Sequence, residues 1–407
     1  MFQAGKTIMD HTGPSMRRAI VFAPFFSAES SASRPRRVAS VLADFMPVDV
    51  VTSDFDHTLK IKRNERQHAP FAKMIYIGVP PYQSNVCAAR LVSHLVFSFK
   101  AAGYFLLNRG KYGVVYLTAP LNVLAWLVLS LAGTRIKIVD VVDIWPDVLP
   151  FSARARRLLA PAFAAWRWFL NSSVGKCDLV MAVSDRFLDE VSRSASHHAQ
   201  LKRFYIGCRG LRSATPKNSV FTIAYVGNLG HVYDFDTLVD ALSEDGLRNR
   251  VQLFVIGKGD RQRWLLGELE ARGIRHTFFG PVYDQERLAE ILGRCHAGFN
   301  GFRDTTATFS YKASTYFAAG LPIVNSMEGD LRSLVENYGL GENYQSENRE
   351  QLRSCIYRLL ENGVTAKAAK CREFFAAKLE EDKICTDIRD FLRATFAELR
   401  PELTPKA

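Results

Sequence analysis

The sequence predicts an α/β protein of two tandem Rossmann-like domains facing each other across a cleft. Three observations carry this expectation. The chain has 407 residues, more than one core comfortably organises and well suited to two domains. Its composition, 48% hydrophobic and 23% charged, is that of an ordinary globular chain. In its second half, short apolar runs ending in Gly- or Asn-containing turns occur five times in succession, and a helix-period segment usually follows. Strands and helices alternating at this length imply parallel sheets covered on both faces.

The elements follow in order. Residues 1–15 carry Lys6, Asp10 and His11, lack the apolar stretch of a secretory signal and read as a loose tail. The first domain is expected over residues 16–205. Residues 19–26 read as its first strand. Val38, Val41, Leu42 and Phe45 stand at helical spacing after Pro35, and residues 48–53 form a second strand. Further strands are expected at 75–79, 113–117, 136–142 and 179–183. A polar, punctuated stretch over 209–218 marks a linker at 206–219. The second domain spans 220–375, with strands at 221–226, 251–256, 276–279, 297–302 and 322–325. After the first of these, Phe235, Leu238, Val239 and Leu242 fall on one helix face. Residues 376–407 are expected to form a C-terminal helix that packs back on the first domain.

Several function classes are excluded at this stage. The longest near-continuous apolar run, 121–133, falls short of the roughly 20 residues that cross a bilayer, so no spanning helix is expected. Seven scattered cysteines with no CxxC pair argue against a disulfide framework or a zinc site, and fit a reducing cytoplasm. The net charge of +12 is unevenly placed: residues 1–202 hold 25 Lys+Arg against 14 Asp+Glu, the remainder 28 against 27. The basic first half points to a polyanionic partner, either an anionic membrane face or a pyrophosphate-bearing substrate. Nucleic acid is set aside, because no recognition module accompanies the charge.

Two glycine turns end the first two strands of the second domain: Val226-Gly227-Asn228-Leu229-Gly230, and Ile256-Gly257-Lys258-Gly259-Asp260, which adds a cation. Such turns let backbone N–H groups approach a phosphate at a helix N-terminus, and equally serve as plain tight connections. The third motif is longer: Ser310-Tyr311-Lys312-Ala313-Ser314-Thr315-Tyr316-Phe317-Ala318-Ala319-Gly320-Leu321-Pro322-Ile323-Val324. Here the sequence resembles family 4 glycosyltransferases and their GT-B relatives, in which a Pro-Ser-Lys-like turn opens a helix ending in Ala-Ala-Gly-x-Pro. Phe279-Gly280-Pro281-Val282, Val51-Thr52-Ser53-Asp54-Phe55-Asp56-His57 and Asp143-Ile144-Trp145-Pro146-Asp147 look like that family too, in the right order.

The resemblance implies transfer of a sugar from a nucleotide-sugar co-substrate to an acceptor hydroxyl, with retention and no further cofactor. It assigns donor binding to Gly227, Asn228, Gly230, Lys258, Gly259, Arg303, Ser310, Lys312 and Thr315. The family's two acidic positions fall at Ala307 and Thr315, so the ribose contact passes to the Thr315 or Ser314 hydroxyl. That departure keeps two alternatives open: a non-catalytic partner subunit that only binds sugar nucleotide, and a sugar-nucleotide 2-epimerase of the same fold.

On the first domain, Asp143 follows an apolar strand and is expected to face the cleft as the catalytic carboxylate; a capping role is the bland reading. Trp145, Asp147 and Arg34 are assigned to the acceptor. Arg34, Arg36 and Arg37 surround Pro35 at a helix start, where cations oppose the macrodipole unless an anion offsets them. Asp54-Phe55-Asp56-His57-Thr58 matches a phosphatase pattern and an Asp-x-Asp metal motif, but the downstream phosphatase motifs are missing and no metal site is assigned. Arg154, Arg156 and Arg157 lead into an apolar, Trp-bearing stretch. This suggests peripheral association with the inner face of a membrane and a lipid-linked or growing glycan as acceptor.

Overall fold

The computed structural model describes residues 17–399 apart from 29–32, 64, 66, 85–86, 146–152, 304 and 306. The tail expected at 1–15 lies outside the described residues. Seven strands form the first sheet: β1 (Arg18–Phe22), β2 (Val48–Ser53), β3 (Ala72–Ile77), β4 (Tyr112–Ala119), β5 (Ile136–Val141), β6 (Leu179–Ala182) and β7 (Gln200–Arg203). All are parallel, in the order β3-β2-β1-β4-β5-β6-β7. Six strands form the second: β8 (Phe221–Asn228), β9 (Val251–Lys258), β10 (His276–Gly280), β11 (Ala297–Asn300), β12 (Ile323–Asn325) and β13 (Gly341–Asn343). These too are parallel, in the order β10-β9-β8-β11-β12-β13.

Both orders reverse direction beside the first strand. The crevice outside the strand ends at such a switch point is where doubly wound sheets bind ligands. In the second sheet it lies between Asn228 and Asn300, which puts the first glycine turn and the loop before Ser310 on its two sides.

Some expected elements change. The first strand stops at Phe22 rather than residue 26, ahead of Pro24. β7 and β13 were not expected: Gln-Leu-Lys-Arg lies at a sheet edge and is nowhere fully buried, and β13 is three residues long. Among the described residues one helix, Ala88–Lys111, reaches the length and apolar composition that could cross a membrane, as a core helix also can. One face of it packs into the domain, since Phe97, Ala101 and Phe105 are in the core under the first sheet.

The helix Glu381–Leu399 crosses back to the first domain. Ile384, Ile388, Leu392 and Phe396 join Val38, Leu42 and Phe45 in one buried cluster, and the rings of Phe45 and Phe396 meet edge to face at 5.4 Å. Glu381 at its start accepts from Arg36 and Arg209 at 3.1 Å each, which offsets part of the charge around Pro35. A second link joins the domains near the cleft. The Asp330 carboxylate accepts from the backbone N–H of Asp185 at 2.6 Å, so a residue of the second domain caps the helix Asp185–Ser192 of the first.

Candidate active site

The two glycine turns lie side by side. β8 and β9 run in register as far as Gly227 opposite Gly257 and Asn228 opposite Lys258, and the Leu229 N–H donates to the Lys258 carbonyl at 2.9 Å. Gly257 has φ +147°, and a Cβ there would stand 1.8 Å from the Gly227 carbonyl oxygen, so no side chain is tolerated. Gly230 and Gly259 are crowded by the Asn228 side chain, at 2.8 and 2.6 Å from their hypothetical Cβ atoms. These glycines are therefore required by the packing of turn on turn. Lys258 is exposed at the rim.

Lys312 occupies the first turn of the helix Tyr311–Ala318, which Ser310 caps by accepting from the Lys312 N–H at 3.2 Å. Its side chain runs past Gly227, whose missing Cβ would lie 3.3 Å from Lys312 Cδ. The ammonium ends in an aromatic cage, 3.9 Å from the Tyr233 ring centre, 4.2 Å from Phe302 and 5.7 Å from Tyr225. Among the described residues no carboxylate pairs with it, and burial drives its pKa well below the ordinary lysine value. A cation held beside a glycine turn and a helix N-terminus is suited to a diphosphate. The cage residues were missed in the sequence; Tyr233, five residues past Asn228, is the one a close reading of the turn could have flagged.

Three donor assignments take other roles. Arg303 pairs with Asp236, and its Nε stands 3.9 Å from both Asp234 and Glu347, so its charge is met by carboxylates. Thr315 is buried and its hydroxyl donates to the Tyr311 carbonyl one turn back at 3.2 Å. Ser314 likewise donates to the Ile206 carbonyl. Both hydroxyl protons are committed to main-chain oxygens, which removes the expected donors to a ribose. At Ala307 the N–H donates to Thr305 Oγ1.

In the first domain Arg34 is not an acceptor ligand. Its Nε donates to Asp140 Oδ2 at 2.5 Å, and the rest of the guanidinium reaches the carbonyls of Phe204 and Ala182, all buried. Asp140, inside β5, is the anion that offsets the arginine-rich helix start. Asp147 lies outside the described residues.

Asp143 and Trp145 sit just beyond β5, and Trp145 Nε1 donates to Asp143 Oδ2 at 3.3 Å. Burial pushes the Asp143 carboxyl up to about 6, against the opposing pull of that hydrogen bond. The indole stacks on His94, ring centres 5.5 Å apart at 19°, with the Arg90 guanidinium 4.7 Å from its ring centre. His57 Nδ1 and the Tyr82 hydroxyl are 2.6 Å apart in the same group. Burial, then the charge of Arg90, holds His94 down to about 3; burial, then Lys60, holds His57 down to about 4, so both imidazoles are neutral at pH 7. Arg90 and His94 stand four apart on one helix, a spacing that was readable; their neighbours Leu91 and Val92 made the stretch look simply apolar.

The Asp54 and Asp56 carboxylates serve the hairpin they belong to. Asp54 pairs with Lys62 at 2.6 Å and accepts from the Val79 N–H at 3.0 Å. Asp56 accepts from the N–H groups of Thr58 and Leu59 at 2.8 and 2.9 Å.

Comparison with known proteins bears on the fold. Residues 212–375 match the family model described as glycosyl transferases group 1. No curated protein matches the sequence. Among solved structures, sucrose-phosphate synthase from Thermosynechococcus elongatus aligns with a TM-score of 0.72 at 17% identity, over 94% of this chain and 100% of that one. HepE from Anabaena in complex with UDP and glucose aligns at 0.63 and 15%, over 93% and 100%. WaaG, a glycosyltransferase involved in lipopolysaccharide biosynthesis, aligns at 0.64 and 14%, over 92% and 99%. Such identities speak for the fold, which is GT-B along the whole described chain. The described chain thus has the two-domain GT-B fold, and its second half, residues 212–375, is the part similar to the group 1 glycosyl transferases.

Proposed function

We propose that this chain transfers a sugar from a nucleotide-sugar donor to an acceptor hydroxyl. The observation that carries the reading is Lys312, a buried cation whose neighbours among the described residues are aromatic rings, at the switch point of the domain that matches the glycosyl transferases. In this reading the donor diphosphate takes up the Lys312 ammonium and the N-terminal end of its helix, with Lys258 at the rim. The bond between the anomeric carbon and the diphosphate oxygen breaks as the acceptor oxygen bonds to that carbon on the face the diphosphate leaves, and those cations meet the charge left on the diphosphate without calling on a metal ion. Asp143, ionised above about pH 6, orients the acceptor hydroxyl and takes its proton, and Trp145 offers its face to a sugar ring. Retention of the anomeric configuration is part of the proposal and rests on the family resemblance.

The acceptor is proposed to be lipid-linked or a growing glycan met at a membrane face. Residues 66–139 and 148–177 contain thirteen Lys+Arg and no Asp or Glu. Val92, Phe99, Leu106 and Leu107 form an exposed stripe along the helix Ala88–Asn108, and Leu158 and Trp168 are exposed on the neighbouring helices. An apolar, acid-free, cationic face matches an anionic leaflet.

Thermal-shift screening against UDP-, GDP- and dTDP-sugars identifies the donor. With it, Asp143→Asn is expected to lower kcat by roughly 10²–10⁴ with little change in donor Kd; equal loss in both makes Asp143 structural. Wild-type protein is expected to sediment with anionic liposomes at low salt, less so once Arg154, Arg156 and Arg157 are all Gln. Failure to sediment removes the membrane from the proposal.

A further inference from the structure

The use of Lys312 as the diphosphate cation carries a steric condition. A charge-assisted hydrogen bond needs a phosphate oxygen about 2.7–2.9 Å from the ammonium nitrogen. That nitrogen stands between the rings of Tyr233 and Phe302, whose centres are 5.0 Å apart, and its own stem runs along Gly227. Lys312 is 9% exposed. One ring therefore has to yield its place before an oxygen can take it.

The backbone distinguishes the two rings. Phe302 is fixed: its N–H donates to Ser326 Oγ at 2.8 Å, and its carbonyl accepts from Ser326 Oγ at 2.8 Å and Ser346 Oγ at 2.7 Å. Tyr233 ends a short outer segment in which His231 and Val232 are exposed, and its N–H reaches the Gly230 carbonyl at 3.4 Å. An isolated antiparallel bridge lays Tyr233 against Phe302, with the Arg303 N–H donating to the Val232 carbonyl at 2.9 Å. Arg303 also pairs with Asp236, in the first turn of the helix into which the segment leads. The tyrosine hydroxyl is tied to that of Tyr225, which donates to the Asn228 carbonyl of the first glycine turn. The far end is anchored. Asp234, fully buried, accepts from Thr237 Oγ1 at 2.6 Å, the Tyr344 hydroxyl at 3.0 Å and the Glu347 N–H at 3.0 Å. Residues 231–233 thus span two fixed points, Gly230 packed on Asn228 and Asp234 in the core, and lie over the ammonium.

We infer that residues 231–233 are a strap that closes the Lys312 site in the free chain, with Tyr233 as its cover and Arg303 as its clasp, and that it swings aside to admit a diphosphate. The inference rests on the proposed function and adds a step to it. The buried charge is compensated by ring faces before the strap moves and by phosphate oxygens afterwards. Tyr233 and Arg303 act through Lys312 and are positioning residues.

Val232→Cys/Arg303→Cys puts two thiols on facing positions of the bridge, where oxidation locks the strap down. Inorganic pyrophosphate is titrated calorimetrically into the full chain. The reduced variant is expected to bind it, and the oxidised one at least about tenfold more weakly, with affinity restored by dithiothreitol. Equal affinity in the two states, with the disulfide verified by mass spectrometry, overturns the inference. A second measurement needs no ligand. Trinitrobenzenesulfonate labelling, mapped by peptide mass spectrometry, is expected to modify Lys312 of the wild type at least about tenfold more slowly than the exposed Lys258. Tyr233→Ala is expected to bring the two rates together, and an unchanged Lys258 rate with an unchanged melting temperature shows that the fold is intact. Lys312 labelled as slowly in Tyr233→Ala as in the wild type overturns the inference, because the tyrosine is then not the cover. If labelling responds as expected but neither the wild type nor the reduced variant binds pyrophosphate, the cover stands and the diphosphate reading of Lys312 falls.

Discussion

Arg34 and Lys312 both stand at a helix start beside the switch point of their sheet and meet opposite surroundings. Each lies in the first turn of a helix that follows a strand at the switch point, and each is buried. Arg34 is matched by Asp140, whose other hydrogen bond comes from the Tyr116 hydroxyl at 2.7 Å, and by two backbone carbonyls. Lys312 is matched by three aromatic rings. A buried cation costs several kcal/mol unless something compensates it. The first domain compensates internally, so Arg34 belongs to the architecture. In the second, aromatic rings surround the ammonium, and this contrast is why Lys312 and not Arg34 is the cation proposed for the donor.

Removing each cation should break the comparison in different observables. Arg34→Met strands Asp140 in the core and is expected to cost about 3–5 kcal/mol of stability in denaturant titrations. A loss below about 1 kcal/mol would show that the pair contributes little and that Arg34 is available for other work.

Lys312→Met is expected to do the reverse. Donor affinity should fall at least tenfold, the roughly 1.5–3 kcal/mol of a charge-assisted contact, while stability is unchanged or rises. The sign of the pH effect follows from its depressed pKa. Between the folded value and the ordinary 10.5, the unfolded chain binds the extra proton, so the free protein gains stability as pH climbs through that window. Lys312→Met should abolish this gain, and a pH profile identical to wild type would place the ammonium in solvent.

The contrast also explains what the sequence disclosed. Local patterns were readable: the stripe Phe235, Leu238, Val239, Leu242 became the helix Phe235–Leu242, and 48–53 became β2 with its expected bounds. The glycine turns and the Ser310–Lys312 helix start were visible because their chemistry is written in consecutive residues. Arg34 was misread because its partner lies 106 positions away, inside a run, Ile-Lys-Ile-Val-Asp-Val, whose apolar character hides the buried Asp140. The aromatic cage of Lys312 is dispersed in the same way over Tyr225, Tyr233 and Phe302. Thr315 and Arg303 were assigned by position in a motif, and only packing reveals that their polar groups are already engaged.

A smaller effect sharpens the comparison within the donor site. Lys258 is exposed, so its attraction for a diphosphate is screened by water and salt. Lys258→Ala is expected to weaken donor binding by about twofold to fivefold at low ionic strength and negligibly at high salt. An effect equal to that of Lys312→Met would mean that the rim closes over the bound nucleotide.

The smallest expected effect concerns the paired acids, and it tests whether side chains alone meet the diphosphate charge. Asp54 and Asp56 are the residues in which a metal-dependent transferase would invest, and here both are committed to local contacts. Asp54 binds Lys62 and the Val79 N–H; Asp56 accepts two N–H groups of its own turn and lies 3.5 Å from Arg63. Asn at either position keeps an acceptor oxygen for the backbone and loses only ion pairs that are partly open to solvent, worth about 0–1 kcal/mol each. Asp54→Asn/Asp56→Asn is therefore expected to retain transfer activity to within about a factor of two, and wild-type activity is expected to persist in EDTA. If EDTA abolishes activity, Mg²⁺ or Mn²⁺ restores it, and the double variant cannot be restored, the acids are a metal site. The diphosphate charge would then be shared between a metal on the first domain and Lys312 on the second, and the large affinity loss expected of Lys312→Met should shrink in the presence of that metal.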